Sequence, residues 1–554
     1  MQKDNHADVI VIGAGLAGLV SATELADRGK RVILLEQEPQ HFLGGQAHWS
    51  LGGLFMIDTP EQRRMGIRDS VDLARRDWSG SAQFDRAEDH FPRLWARAYL
   101  EFAAGDMRAW LHGLGLRWFP VVGWAERGDG RAEGHGNSVP RFHVTWGTGP
   151  GVLAPFARAL RTHMAMGRID ARFRHQVSHI IQQAGHIKGV SGEVLAADQS
   201  PIGARTNRHE VGEFEVYAPS LIVASGGIGG NLDMVRANWP TQRLGPAPRR
   251  MVSGVPFHVD GRMLKVAQGA GGHLVNTDRM WHYCEGLRNW DPIWPDHGIR
   301  ILPGPSSLWF DAYGTRLPDP ALPGFDTLGT LKAILASGQD YSWFILSQKI
   351  IQKEFALSGS EQNPDLTSGS WREVLRARLF SGGRAPAPVE AFKRHGADFV
   401  VAEKLSDLVR GMNEIGDVAL DEGHLRAQIE ARDAQVDNGF AKDRQIQAIH
   451  AARNYRGDRL IRTARPHRIL DRANGPLIAV RLSILTRKTL GGLQTNLDSQ
   501  MLGADGRPLP GLFAVGEAAG FGGGGYHGYN ALEGTFLGGC LFSGRQAGRS
   551  QLIA

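Results

Sequence analysis

Two cysteines in 554 residues, Cys284 and Cys540, are too few for a disulfide framework, and their spacing matches no metal motif. No Cys-x-x-Cys-His segment is present to hold a haem, and no cysteine set to hold an iron–sulfur cluster. The expectation is a chain without a metal, in a reducing compartment, the cytoplasm. No run approaches the roughly 20 apolar residues of a membrane span. The apolar stretch from Asp8 to Val20 lacks the charged start of a signal peptide, and Glu24 and Asp27 follow it. The net charge of +6 is spread along the chain, with no compact Lys/Arg block and no nucleic-acid motif. A nucleic-acid partner is therefore not expected; a small molecule is, and the basic charge favours anionic ones. Internal repeats and low-complexity tails are also absent.

Glycine is abundant, with 72 residues, and it clusters at Gly226-Gly227, Gly271-Gly272, Gly491-Gly492 and Gly522 to Gly525. Runs of this kind suit places where backbone approaches a ligand closely. The first cluster is the most informative. Val9 to Ile12 is a β-branched run, Leu16 to Arg28 has helical composition with Gly29 as its cap, and Arg31 to Leu35 is a second apolar run ending at Glu36. Between the first strand and the helix stand Gly13, Ala14, Gly15, Leu16, Ala17 and Gly18. Gly13 permits a tight turn, Gly15 lets backbone N–H groups reach a pyrophosphate, and Gly18 permits close helix–strand packing. Glu36, beside Gln37, stands where ribose hydroxyls need an acceptor. This is a dinucleotide-binding βαβ unit.

The length exceeds what one core supports, so at least two domains are expected. Tyr99 to Leu114 and Arg262 to Ala270 read as helices, and Glu213 to Val223 as paired strands. Residues 281–330 are rich in Trp, Pro and Asp with little periodicity. Residues 385–465 read as charged helices. Short strands and glycine turns return from Leu477, and a last helix starts at Asn530. The composition shift predicts a nucleotide-binding domain made of residues 1–276 and 466–554, with a second domain, 277–465, inserted.

Further segments carry a family resemblance. Gly44-Gly45-Gln46 through Ser50, Gly52 and Gly53, the stretch Ala218 to Asn231 with Ala224, Ser225 and Gly226, and Leu490 to Gly520 with Gly516 and Glu517 follow one another along the chain. In that order they resemble the FAD-dependent fumarate reductase and 3-ketosteroid dehydrogenase flavoproteins. The resemblance implies an α/β fold: a Rossmann-like FAD-binding domain, split in sequence, with an inserted α+β cap domain. It implies that these segments bind FAD and that Asn530, Ala531 and Leu532 open a helix aimed at the flavin. Membrane-bound relatives attach FAD through a His at the place held here by Gln46, so non-covalent FAD is expected.

The resemblance also orders the chemistry. The family's His-Thr-Met-Gly-Gly segment stands here as Arg487-Lys488-Thr489-Leu490-Gly491-Gly492. The fumarate reductases' proton-donating arginine is Ala531, and an expected acid is Pro320. A dedicated fumarate reductase is disfavoured. Tyr526, His527 and Tyr529 are expected near the flavin, where in the 3-ketosteroid dehydrogenases tyrosines polarise a ketone and help abstract a proton. Arg487 or Lys488 would assist by lowering a tyrosine pKa. His282, Tyr283 and Tyr341 are further candidates for the cleft, while Trp281, Trp290, Trp294 and Trp309 read as core. The expected reaction is α,β-dehydrogenation of a ketone, cyclic or steroid-like, with an external electron partner. Reduction of an activated alkene and a non-catalytic flavin-binding protein are the alternatives.

Overall fold

The computed structural model describes residues 5–378 and 383–553. A six-stranded sheet is assembled from distant parts of the chain. Its order is Gln500–Leu502, Pro508–Ala514, Ser220–Val223, Val9–Ile12, Val32–Glu36 and Ile169–Phe173. Val9–Ile12 pairs in parallel with Val32–Glu36 on one side and Ser220–Val223 on the other, and Pro508–Ala514 continues the parallel set. All four residues of Val9–Ile12 are buried, as expected for a parallel strand covered on both faces. The helix Leu16–Asp27 packs on this sheet and against the last helix, Thr535–Arg549. A Cβ at Gly544 would lie 2.7 Å from the Ala17 carbonyl oxygen, so the two helices approach at backbone distance.

A second, eight-stranded and mostly antiparallel sheet includes Met280–Arg288, Gly298–Leu302, Leu308–Asp311, Tyr341–Ser347 and Leu477–Thr489. The last of these is its centre, pairing with Tyr341–Ser347 and Met280–Arg288. Composition places residues 466–554 with the nucleotide-binding part, and within them Leu477–Thr489 lies in the second sheet. Met280–Arg288 showed no periodicity in sequence because eight of its nine residues are buried, so no alternation is left to read.

Two helix boundaries move. The expected helix over Tyr99 to Leu114 is two helices, His90–Ala104 and Asp106–Gly113, broken at Gly105. The final helix begins at Thr535, with Gly534 as its N-cap at φ +91°, and not at Asn530. Trp281, Trp294 and Trp309 are core, whereas Trp290 is exposed. Among the described residues no helix is long and apolar enough to cross a membrane.

Candidate active site

A cavity of about 200 Å³ runs between the two sheets, from Glu36 at the end of its strand to the second sheet at Tyr283 and Arg300. Its floor is the glycine turn. Gly13 has φ +106°, and a Cβ there would lie 2.6 Å from the Ala224 carbonyl oxygen. A Cβ on Gly15 would meet nothing within 4 Å, because that position faces the cavity. The Glu36 carboxylate closes the turn by accepting from Ala14 N at 2.7 Å and Glu38 N at 2.9 Å; burial raises its pKa. Gln37, Gly44, Gly45, Ser50, Gly52, Gly53, Ala224, Ser225, Gly226 and Gly516 line the same cavity.

Gln46, Lys488 and Glu517 form a chain on the wall. Lys488 Nζ donates to Gln46 Oε1 at 2.5 Å, and Gln46 Nε2 donates to Glu517 Oε2 at 2.7 Å. Glu517 Oε1 also accepts from Thr489 N at 2.8 Å. Burial lowers the Lys488 pKa.

At the far end, Tyr283, Arg300 and Glu533 meet. Trp281 and Tyr283 are two apart on one strand and so share a face, and both donate to Glu533 Oε1, at 3.3 and 2.9 Å. Arg300 NH1 reaches the same oxygen at 2.6 Å. Oε2 of Glu533 makes no hydrogen bond among the described residues. Glu533 is placed by Gly534, whose carbonyl accepts from Phe55 N at 3.1 Å. Burial first, and then the neighbouring Glu533 carboxylate, push the Tyr283 phenol well above its ordinary range, so it stays a hydrogen-bond donor. Arg487 also lines the cavity, and its hydrogen bond among the described residues is a long one, 3.5 Å to Trp49 O.

Several expected site residues lie elsewhere. Tyr526 is fully buried and donates to Thr535 O, and His527 bonds Thr535 Oγ1. Tyr529 donates to Asp85 Oδ1 at 2.8 Å and lies under the guanidinium groups of Arg243 and Arg279. None of the three lines the cavity. The glycine-rich coil before the last helix turns Tyr526 and His527 into the core against Trp78, which donates to Tyr526 O. Asn231 caps the helix Leu232–Ala237, Asn530 bonds Ser81 O, and Ala531 and Leu532 are packed away. The late helix start moves cavity contact to Glu533, Gly534, Phe536 and Leu537. Ala14 and Gly18 shape the turn without lining the cavity; a Cβ on Gly18 would lie 2.0 Å from Gly13 O. His282 points to the opposite face, against Trp239, and Tyr341 accepts from Asp417 N and Val418 N. Glu533 and Arg300 were missed. Glu533 had a signal, an acid directly before a glycine in a segment already implicated. Arg300 had none, since nothing local ties it to the site.

A nucleotide fits this cavity: an open glycine turn at a helix N-terminus takes a pyrophosphate, and a carboxylate at the neighbouring strand end takes ribose hydroxyls. The fold and cavity are those of a flavin-dependent oxidoreductase. The FAD binding domain family matches residues 8–537, and the chain belongs to that family, with FAD as its cofactor. It is 60% identical over 546 residues to a KsdD-like steroid dehydrogenase of Mycobacterium tuberculosis (strain CDC 1551 / Oshkosh), covering 98% of this chain and 95% of that one. The 3-ketosteroid delta1-dehydrogenase from Sterolibacterium denitrificans, in complex with 1,4-androstadiene-3,17-dione, has the same fold, with a TM-score of 0.68 at 16% identity over 99% of both chains. A flavocytochrome c3 fumarate reductase matches at a TM-score of 0.63 and 21% identity, over 99% of this chain and 78% of that one.

At the place where relatives attach FAD through a His stands Gln46, hydrogen-bonded to Glu517 and Lys488, and His48 is outside the cavity lining. Acid precipitation of the yellow protein is therefore expected to leave all of the flavin in the supernatant. Flavin remaining in the pellet after washing would mean a covalent link.

Proposed function

We propose that this enzyme dehydrogenates a cyclic, steroid-like ketone between its α- and β-carbons. Bound FAD supplies the acceptor for the hydride that leaves the β-carbon. Glu533 takes the α-proton on Oε2, the oxygen left free when Trp281, Tyr283 and Arg300 all engage Oε1. Arg487 donates to the ketone oxygen and so acidifies the α-carbon. Lys488, held by Gln46 beside Glu517, contributes positive charge to the wall of the cavity. The observation that carries the reading is the carboxylate at the far end of the cavity, fixed by three donors with one oxygen to spare. The relative at 60% identity, a KsdD-like steroid dehydrogenase, supports a steroid-like substrate. We assign the flavin-binding unit to the six-stranded sheet and the cap to the eight-stranded sheet, with the chain returning to the former near Leu490.

The test is anaerobic mixing of the yellow holoenzyme with a 3-ketosteroid, which is expected to bleach the flavin in a single turnover. Absence of bleaching by any cyclic ketone, together with reoxidation of reduced enzyme by activated alkenes, would reverse the assigned direction. Neither response would leave a flavin-binding protein without this chemistry.

A further inference from the structure

Glu126 lies in the irregular segment between the helix Asp106–Gly113 and the strand Phe142–Val144, far in sequence from every residue of the cavity end. It is 1% exposed and has φ +57°, a left-handed conformation that costs a non-glycine residue free energy and persists only where the surroundings impose it. The surroundings are polar. Oε1 accepts from Thr327 Oγ1 at 2.6 Å and from Arg300 NH2 at 3.1 Å. Oε2 accepts from Thr327 N at 3.1 Å and meets His135 Nε2 at 3.2 Å. His135 is buried, with Ser81 Oγ on its other nitrogen. Burial lowers its pKa, but the Glu126 hydrogen bond and charge, together with the charges of Asp326 and Asp129, outweigh burial and the net shift is upward.

Arg300 is thus shared. One arm grips Glu533 at 2.6 Å, the other grips Glu126 at 3.1 Å, and Nε lies 3.7 Å from Glu285. Arg300 and Leu302 form the partition between the cavity described above and a second one of about 40 Å³, which Glu126 also lines.

Resting on the dehydrogenase reading, we infer that Glu126 and His135 are positioning residues, which act through Arg300 to set how firmly Glu533 is held as an anion. Glu126 draws on Arg300 and so weakens its hold on Glu533. His135, by compensating Glu126, returns part of that hold. The charged groups facing this cluster are Arg300, Glu285, Glu533, His135, Asp326 and Asp129. Substituting Glu126 and substituting His135 therefore have opposite signs at Glu533, which a purely structural role would not produce.

The experiment is pH-difference infrared spectroscopy of flavin-loaded enzyme, with the Glu533 carboxyl band identified by its loss in Glu533→Gln. In Glu126→Gln that band is expected to titrate about one unit lower than in the parent, and in His135→Gln higher, because the hold of Arg300 on Glu533 tightens in the first and loosens in the second. Shifts of one sign in both variants, or no shift in either, overturn the proposal. If Glu126→Gln does not fold, the His135→Gln arm decides alone, an upward shift supporting the proposal and any other result overturning it. The readout needs no ketone, so it stands apart from the bleaching test: bleaching can fail while the shifts appear, and the reverse.

Discussion

Glu533→Gln is expected to slow flavin reduction by the ketone about 10²–10⁴-fold, the contribution of a positioned general base. The glutamine keeps the volume and an acceptor oxygen for Trp281, Tyr283 and Arg300. It loses the capacity to take a proton. Gly534, the residue that fixes this stretch through Phe55, is unchanged, so the fold and the flavin content should be those of the parent. The loss should fall on the rate of bleaching at saturating ketone, with little change in the concentration needed for saturation, because the affected interaction belongs to the transition state. A parental bleaching rate in the variant would remove Glu533 from proton abstraction. The Tyr529→Phe change, by contrast, touches a phenol bound to Asp85 outside the cavity, and its bleaching rate should stay near that of the parent.

Gly15→Val is expected to give a folded, colourless protein. Gly15 has φ −71°, which valine adopts without strain, and its Cβ direction is open for 4 Å. The new side chain takes up the space over the helix N-terminus that a pyrophosphate requires. Losing two charge-assisted hydrogen bonds there, at about 1.5–3 kcal/mol each, corresponds to a 10²–10⁴-fold weaker affinity for FAD at about 1.4 kcal/mol per tenfold. Purified variant should hold little flavin, yet melt within a few degrees of flavin-stripped parent. Retention of stoichiometric FAD would contradict the placement of the pyrophosphate. Gly13 is a poorer probe, because at φ +106° and 2.6 Å from Ala224 O any side chain disturbs the turn as well as the ligand.

The parts of this protein that were legible in its sequence are those whose physics is local. A pyrophosphate loop needs a strand, a turn and a helix in immediate succession, so Gly13 to Gly18 and Glu36 can be read from 28 consecutive residues, Val9 to Glu36. The segments around Gly44, Ala224 and Gly516 were legible through the family resemblance that their order along the chain carries. The far end of the cavity is assembled otherwise. Tyr283 and Arg300 come from neighbouring strands whose burial erases any alternation, Glu533 from a coil, and Glu126 from an irregular segment.

The sequence by itself determined that a dinucleotide binds, through a glycine turn at a helix N-terminus followed by a strand ending in an acid, and the resemblance of the later segments narrowed it to FAD. It did not determine which side chains line the far end of the cavity. Tyr526, His527 and Tyr529 are near the flavin in sequence pattern, but the five residues of coil from Asn530 to Gly534, before the helix at Thr535, leave them packed away and bring Glu533 to the cavity. Only tertiary structure decided this. The direction of a side chain in a coil depends on what packs against it, here Trp78, Asp85 and the arginines around Tyr529.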